Sequence, residues 1–240
     1  MPDAVIAAGF SYAVVTAHNG CLHLEVTVTG KQAHAAMPQT GVDALEAAAA
    51  VLNVLYAHRA ELVRMRSSMP GTVAPTLNVG LIKGGINTNV VPDQVLFRID
   101  RRIVPEEDAT AVEAALRALI AACAQRHQAP VDVRRLMLAQ PLVPRQGTDE
   151  IAAALQRHAK KILGVDVPTA AVPLYTDARH YAAAGVPVVL YGAGPRSIVE
   201  ANAHSANENL RLTDLRAATK IVALAVADLL GTIRPRTKAR

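Results

Sequence analysis

The chain has 240 residues, 51% of them apolar, 19% charged and 3% aromatic, with a formal net charge of +5. That balance excludes a disordered chain. The longest apolar run, residues 221–230, carries Asp228 and falls far short of the ~18–20 residues of a membrane span. With two Phe, five Tyr and no Trp, the stacking surface of a single-strand binder is scarce. Much of the excess positive charge sits in a terminal tail (Arg234, Arg236, Lys238, Arg240) of the usually solvated kind. Neither nucleic acid nor membrane is therefore expected as a partner, and an acidic small molecule suits the mild basicity better. Cys21 and Cys123 are too few and too far apart for a disulfide framework, and the N-terminus lacks a basic signal region. A cytoplasmic location is the expectation.

Residues 22–30 alternate with period two and predict a half-buried strand. Asp43 then caps an alanine-rich helix reaching about Arg64. Residues 67–75 form a Pro/Gly/Ser loop, 76–82 a second strand broken by Gly84-Gly85, and 94–103 a third with Val95, Phe97 and Ile99 on one face. Pro105 is expected to open a helix whose first turn holds Glu106, Glu107 and Asp108 and which runs to about His127. Residues 131–138 supply a fourth strand. The order β-α-β-β-α-β over 22–138 is the ferredoxin-like split pattern.

After residue 138, helices are predicted over 149–163, 176–184 and 213–230, with an apolar strand at 186–191. Two short apolar runs at 4–8 and 12–17 are read as strands of the same second unit. The alternation of strand and helix points to a parallel α/β sheet. The expected fold is thus α/β, with an α+β ferredoxin-like domain (22–138) inserted into a partial α/β domain (1–21 and 139–240).

Six local patterns occur in order: Gly-Lys-Gln-Ala-His-Ala-Ala-Met-Pro at 30–38, Gly-Gly-Ile-Asn-Thr-Asn-Val-Val-Pro-Asp at 84–93 and Ile-Asp-Arg-Arg at 99–102. Then come Thr-Asp-Ala-Arg at 176–179, Gly-Val-Pro-Val-Val-Leu-Tyr-Gly-Ala-Gly at 185–194 and Ala-His-Ser-Ala-Asn-Glu at 203–208. Together they resemble the zinc-dependent amidohydrolase family of acetylornithine deacetylase, succinyl-diaminopimelate desuccinylase, aminoacylase and glutamate carboxypeptidase.

The resemblance implies that residues 22–138 are a lid and dimerisation domain, and that the chain forms a homodimer. It matches His34 to a lid histidine that stabilises the tetrahedral oxyanion in the partner subunit's site, and Asn89 to a lid residue touching substrate nearby. Arg102, with Arg101 as the register alternative, matches an arginine that grips a substrate carboxylate, a task suited to a guanidinium fork. Gly192 and Gly194 match a turn whose backbone approaches substrate, and His204 matches the last zinc ligand. Without the resemblance these would read as a polar loop histidine, a turn asparagine, solvated strand charges, a tight turn and a hydrogen-bonded loop histidine. Glu106-Glu107-Asp108 reads as helix capping rather than as the family's paired catalytic glutamates.

The family hydrolyses amides with two zinc ions bridged by a carboxylate, a glutamate moving the proton. The resemblance places four of about five ligands, and that base, in His-x-Asp, Gly-rich Asp and Glu-Glu motifs, all absent here. The remaining acidic ligand would fall in residues 7–11, which read Ala-Ala-Gly-Phe-Ser. Only His204 survives of the metal set. The expectation is the C-terminal portion of a metallohydrolase acting on N-acyl amino acids or small peptides. Its partner would be a missing N-terminal half, and zinc is not expected to bind tightly to this chain alone. Two alternatives stand beside it: a degenerate non-catalytic ligand-binding module of the same family, and an unrelated ferredoxin-like interaction domain.

Overall fold

The structure, a computed structural model, describes residues 1–72, 74–196 and 198–232; the basic tail lies outside the described residues. In chain order the elements are β1 (Val5–Ala7), β2 (Val14–His18), β3 (Gly20–Thr29), α1 (Ala44–Leu62), β4 (Thr76–Gly84), β5 (Gln94–Ile103) and α2 (Ala109–Arg126). There follow β6 (Val131–Ala139), α3 (Thr148–Leu163), β7 (Thr169–Val172), α4 (Ala178–Ala183), β8 (Val188–Leu190), α5 (Ile198–Ala201) and α6 (Leu212–Thr232). The chain divides into two compact units, one of residues 19–68 and 72–141, the other of residues 1–18, 69–71 and 142–240.

In the first unit β4-β5-β3-β6 form a four-stranded antiparallel sheet with α1 and α2 on one face, the ferredoxin-like arrangement. Strand alternation decides which side chains meet the helices. Leu22, Leu24, Val26 and Val28 of β3 and Val95, Phe97, Ile99 and Ile103 of β5 are buried against Val51 and Leu55 of α1 and Leu116 and Ile120 of α2. α1 starts where Asp43 accepts hydrogen bonds from the Leu45 and Glu46 amides at 2.8 and 3.1 Å. That satisfies two donors the first turn leaves open.

The acidic triplet before α2 behaves differently from expectation. Only Asp108 caps the helix, accepting from the Ala111 amide at 2.7 Å, and the helix begins at Ala109. Glu106 accepts from the Ser67 hydroxyl and from the Ser68 amide and hydroxyl, tying down the Ser67-Ser68 pair. Glu107 pairs with Arg101 at 2.5 Å. The physical reason is side-chain length. Aspartate folds back onto nearby amides, whereas the two glutamates reach other segments.

In the second unit the strand order is β1-β8-β2-β7. The sheet is mixed rather than purely parallel: β1 with β8 and β2 with β7 are parallel, but Val15 of β2 meets Leu190 of β8 antiparallel. β7 was not foreseen, because Thr-Ala-Ala-Val offers neither alternation nor a β-branched run. Val14, Val189 and Tyr191 pack with α3 and α6 through Ile151, Leu155, Ile221 and Ala225. The other face buries Val15, Val188 and Leu190 beneath Ala178 and Ala182 of α4. His158 of α3 meets Asp228 of α6 at 2.8 Å, and α3 ends at Gly164, whose φ of 73° glycine adopts without strain. Among the described residues no helix is long and apolar enough to cross a membrane.

Glu113 of α2, largely buried, holds Arg117 at 2.7 Å and Arg135 of β6 at 2.9 Å. Burial pushes its carboxyl up, but the hydrogen bonds from both arginines outweigh this and hold it below its usual 4.5. A carboxyl whose pKa is depressed by folding stabilises above its unfolded pKa, and the contribution fades as pH falls through the folded value. Glu113→Gln should therefore cost about 1 kcal/mol at pH 7, since the arginines are half exposed. The difference from the wild type should vanish well below pH 4.5 in urea unfolding across a pH series. Asp43→Ala should cost about 1 kcal/mol at pH 7, by the same measurement.

Candidate functional site

At one end of the ferredoxin-like sheet, segments 33–35 and 89–91 run side by side. The Val91 amide donates to the Ala33 carbonyl at 2.9 Å and the Ala35 amide to the Asn89 carbonyl at 3.0 Å, and His34 bridges Val90. His34 and Asn89 are thereby neighbours, and both are exposed. The His34 Nδ1 accepts from the Ala36 amide at 3.0 Å. A neutral His34 must then carry its proton on Nε2, which leaves a ring N–H as its free donor.

Arg101 and Arg102 point to opposite faces of β5. Arg101 is on the helix side, 2% exposed, and its guanidinium binds Glu107 and the Arg102 carbonyl. A group so enclosed cannot grip a substrate, which removes the register alternative. Arg102 lies on the uncovered face, where Asp100 takes its Nε at 2.8 Å and its Nη2 at 3.0 Å. That partner was overlooked in the sequence, although residues two apart on a strand share a face. Arg102 and the His34–Asn89 corner sit at opposite ends of β5. Gln94 of β5 pairs with Thr29 beside Gly30, and Arg102 pairs with Cys21. Eight residues of strand separate those ends by about 25 Å.

In the other unit, Gly192-Ala193-Gly194 is locked to the segment after β1. The Gly192 amide donates to the Phe10 carbonyl at 3.2 Å and the Gly194 amide to the Gly9 carbonyl at 2.9 Å. The Ser11 amide and hydroxyl both donate to the Gly194 carbonyl, at 2.8 and 2.9 Å. A Cβ on Gly194 would lie 2.7 Å from the Gly9 oxygen, so the close approach of the two backbones requires glycine. Both glycine amides are thus engaged by the very stretch in which an acidic ligand was sought.

Beside this turn is an apolar cavity of about 600 Å³, lined among others by Gly9, Phe10, Thr176, Gly194, His204 and Glu208. His204 has a left-handed backbone, φ 62°, and its amide donates to the Glu208 carboxylate at 3.1 Å. Glu208 read as a cap or solvent charge in the sequence; only its spacing of four from His204 hinted at the link. Among the described residues no group of three or more His, Cys, Asp or Glu side chains converges around His204; the only such group is Cys21, His23 and Asp100 in the first unit. A catalytic zinc needs about three protein ligands. The described residues do not fit a pair of zinc ions at His204.

Residues 16–128 match the M20 peptidase dimerisation domain. Over 208 residues the chain is 26% identical to a putative succinyl-diaminopimelate desuccinylase of Mycobacterium tuberculosis, covering 85% of this chain and 52% of that protein. It is 29% identical over 222 residues to an acetylornithine deacetylase of Myxococcus xanthus, covering 90% and 55%. Among solved structures, aminopeptidase PepT of Bacillus cereus superposes with a TM-score of 0.73 at 23% identity, over 93% of this chain and 56% of that one. A Staphylococcus aureus tripeptidase gives 0.70 at 20%, over 95% and 56%. The chain spans about half the length of the relatives it matches. Residues 16–128 thus match a peptidase dimerisation domain, and the chain shares the fold of these solved peptidases.

Proposed function

We propose that the chain is the dimerising, substrate-orienting portion of a zinc-dependent hydrolase that cleaves the amide bond of N-acyl amino acids or small peptides. The observation that carries this reading is the separation of its two substrate-facing groups. His34 with Asn89 and Arg102 lie about 25 Å apart in one protomer, farther than an acyl amino acid reaches. Both can serve one substrate only when they come from different protomers, which is what a dimerisation domain supplies. In that arrangement Arg102, oriented by Asp100, binds the substrate carboxylate through its planar fork. His34 of the partner subunit donates its Nε2–H to the oxyanion forming at the scissile carbonyl. His204, lining the cavity, is the one ligand this chain contributes to the catalytic zinc pair.

The remaining ligands and the general base belong to a complementary N-terminal half. An apolar groove of about 480 Å³ between β1 and α6, lined by Ala4, Ile6, Val222, Val226 and Leu229, is consistent with cover from such a half. A second reading, a non-catalytic module of the same family, is favoured by one observation. Gly9 and Phe10 replace the acidic ligand and are built into the Gly192–Gly194 turn, so the substitution is integral to the fold.

The purified chain supplied with zinc should show no hydrolysis of N-acetyl or N-succinyl amino acids. Hydrolysis should appear when a polypeptide carrying the His-x-Asp and Glu-Glu motifs of a related enzyme is co-expressed with it. Turnover by the chain alone would show that its site is complete; failure of every complement would favour the non-catalytic reading. Sedimentation at micromolar concentration should give a dimer. Ile82→Glu, on the exposed edge strand β4 where Ile82 is 51% exposed, should shift it toward monomer. A wild-type chain that sediments only as monomer would refute the trans arrangement.

A further inference from the structure

On the uncovered face of the ferredoxin-like sheet, β3 and β5 bring together three side chains of the types that bind metal. Cys21 and His23 are two apart on β3 and so share a face, and Asp100 of β5 is directly opposite His23. The Cys21 Sγ lies 3.3 Å from the His23 Nε2 and 3.8 Å from the Asp100 Oδ1, while the His23 Nε2 lies 3.0 Å from the Asp100 Oδ2. Tetrahedral zinc with Zn–S of about 2.3 Å and Zn–N or Zn–O of about 2.0 Å separates its ligand atoms by about 3.3–3.6 Å. One ligand atom from each residue lies within 4.8 Å of the other two, so small side-chain shifts bring the three to neighbouring corners of one coordination tetrahedron.

The same distances argue against a nucleophilic triad. There, the histidine uses one ring nitrogen toward the nucleophile and the other toward the carboxylate. Here Nε2 alone faces both groups, so the three atoms converge on one point rather than forming a relay. We propose that Cys21, His23 and Asp100 form a three-ligand site for a thiophilic divalent cation of the zinc type, distinct from the His204 cavity, with water completing the coordination.

Several features support binding. Both contributing strands are central in the sheet, with neighbours on each side, which fixes the ligand positions more firmly than a loop would. Asp100 is oriented by Arg102, and a carboxylate has lone pairs enough to accept from the guanidinium and ligate a cation together. Cys21 is buried, while His23 and Asp100 are 36% and 29% exposed, so the cation enters from the solvent side. The donor set of one thiolate, one imidazole and one carboxylate is borderline-soft and selects zinc over magnesium or calcium. Burial, then the Asp100 charge, holds the free thiol up to about 11. Coordination therefore forms a metal–sulfur bond and releases the thiol proton to solvent.

The test is titration of the reduced, full-length chain with cobalt(II), then displacement by zinc(II). One equivalent of cobalt should produce a thiolate-to-cobalt charge-transfer band, which zinc abolishes. The band should be lost in Cys21→Ser and shifted to much higher cobalt concentration in His23→Ala. It should persist in Cys123→Ser and His204→Ala, with circular dichroism confirming that each variant is folded. No band in the folded wild type would overturn the proposal, as would a band that survives Cys21→Ser or disappears with Cys123→Ser.

Discussion

The pairing of β3 with β5 is the constraint on which the ferredoxin-like unit depends. Ten successive residues, Gly20 to Thr29, face Ile103 to Gln94 without a register break. A slip of one residue would turn every core side chain to solvent and every polar one inward. The ladder therefore sorts the two strands completely. Leu22, Leu24, Val26, Val28, Val95, Phe97, Ile99 and Ile103 go under the helices, and Cys21, His23, Glu25, Arg98, Asp100 and Arg102 go to the uncovered side. On that side Glu25 joins Arg98 of β5 to Arg134 of β6 at 2.8 and 2.6 Å across the strands, while Asp100 and Arg102 pair along β5. Arg101 is the one charged β5 residue on the helix side. Its burial would be costly unless paired, and Glu107, placed just before the Asp108 cap, meets it. The entry point of α2 and the neutralisation of Arg101 are thus one arrangement.

The second unit is organised by close backbone approach instead. Gly9 and Gly194 let two chain segments come nearer than a side chain would permit, and the hydrogen bonds between them use the amides that the glycine turn would otherwise present. The consequence for function is direct. A turn that reads as a substrate cradle spends its donors on its own neighbour, and the cavity beside it is left mainly apolar with His204 and Glu208 at its wall. Its lining thus carries one imidazole, His204, and one carboxylate, Glu208.

Much of this was legible in the residues. The 94–103 strand, the Asp43 cap and the Gly164 stop follow from local rules of alternation and capping, and each is found where those rules put it. The departures share a cause. The acidic triplet was read by helix electrostatics alone, whereas Glu106 and Glu107 answer to Ser67, Ser68 and Arg101, partners 38 or more and six residues away. β7 owes its strand conformation to β2 rather than to its own alanines. Local sequence carries no term for either partner.

The same division holds for the candidate sites. Periodicity was sufficient to specify the fold class, and the six ordered motifs carried the family resemblance, because these depend on residue identity and spacing along one chain. Which arginine faces solvent, why His34 presents Nε2, what occupies the glycine amides and how Cys21, His23 and Asp100 come to share a point depend on strand register and on contacts between distant segments. Those are set only when the sheet closes. Directly opposed side chains on paired strands sit about 5 Å apart however many residues separate them, and 77 separate His23 from Asp100.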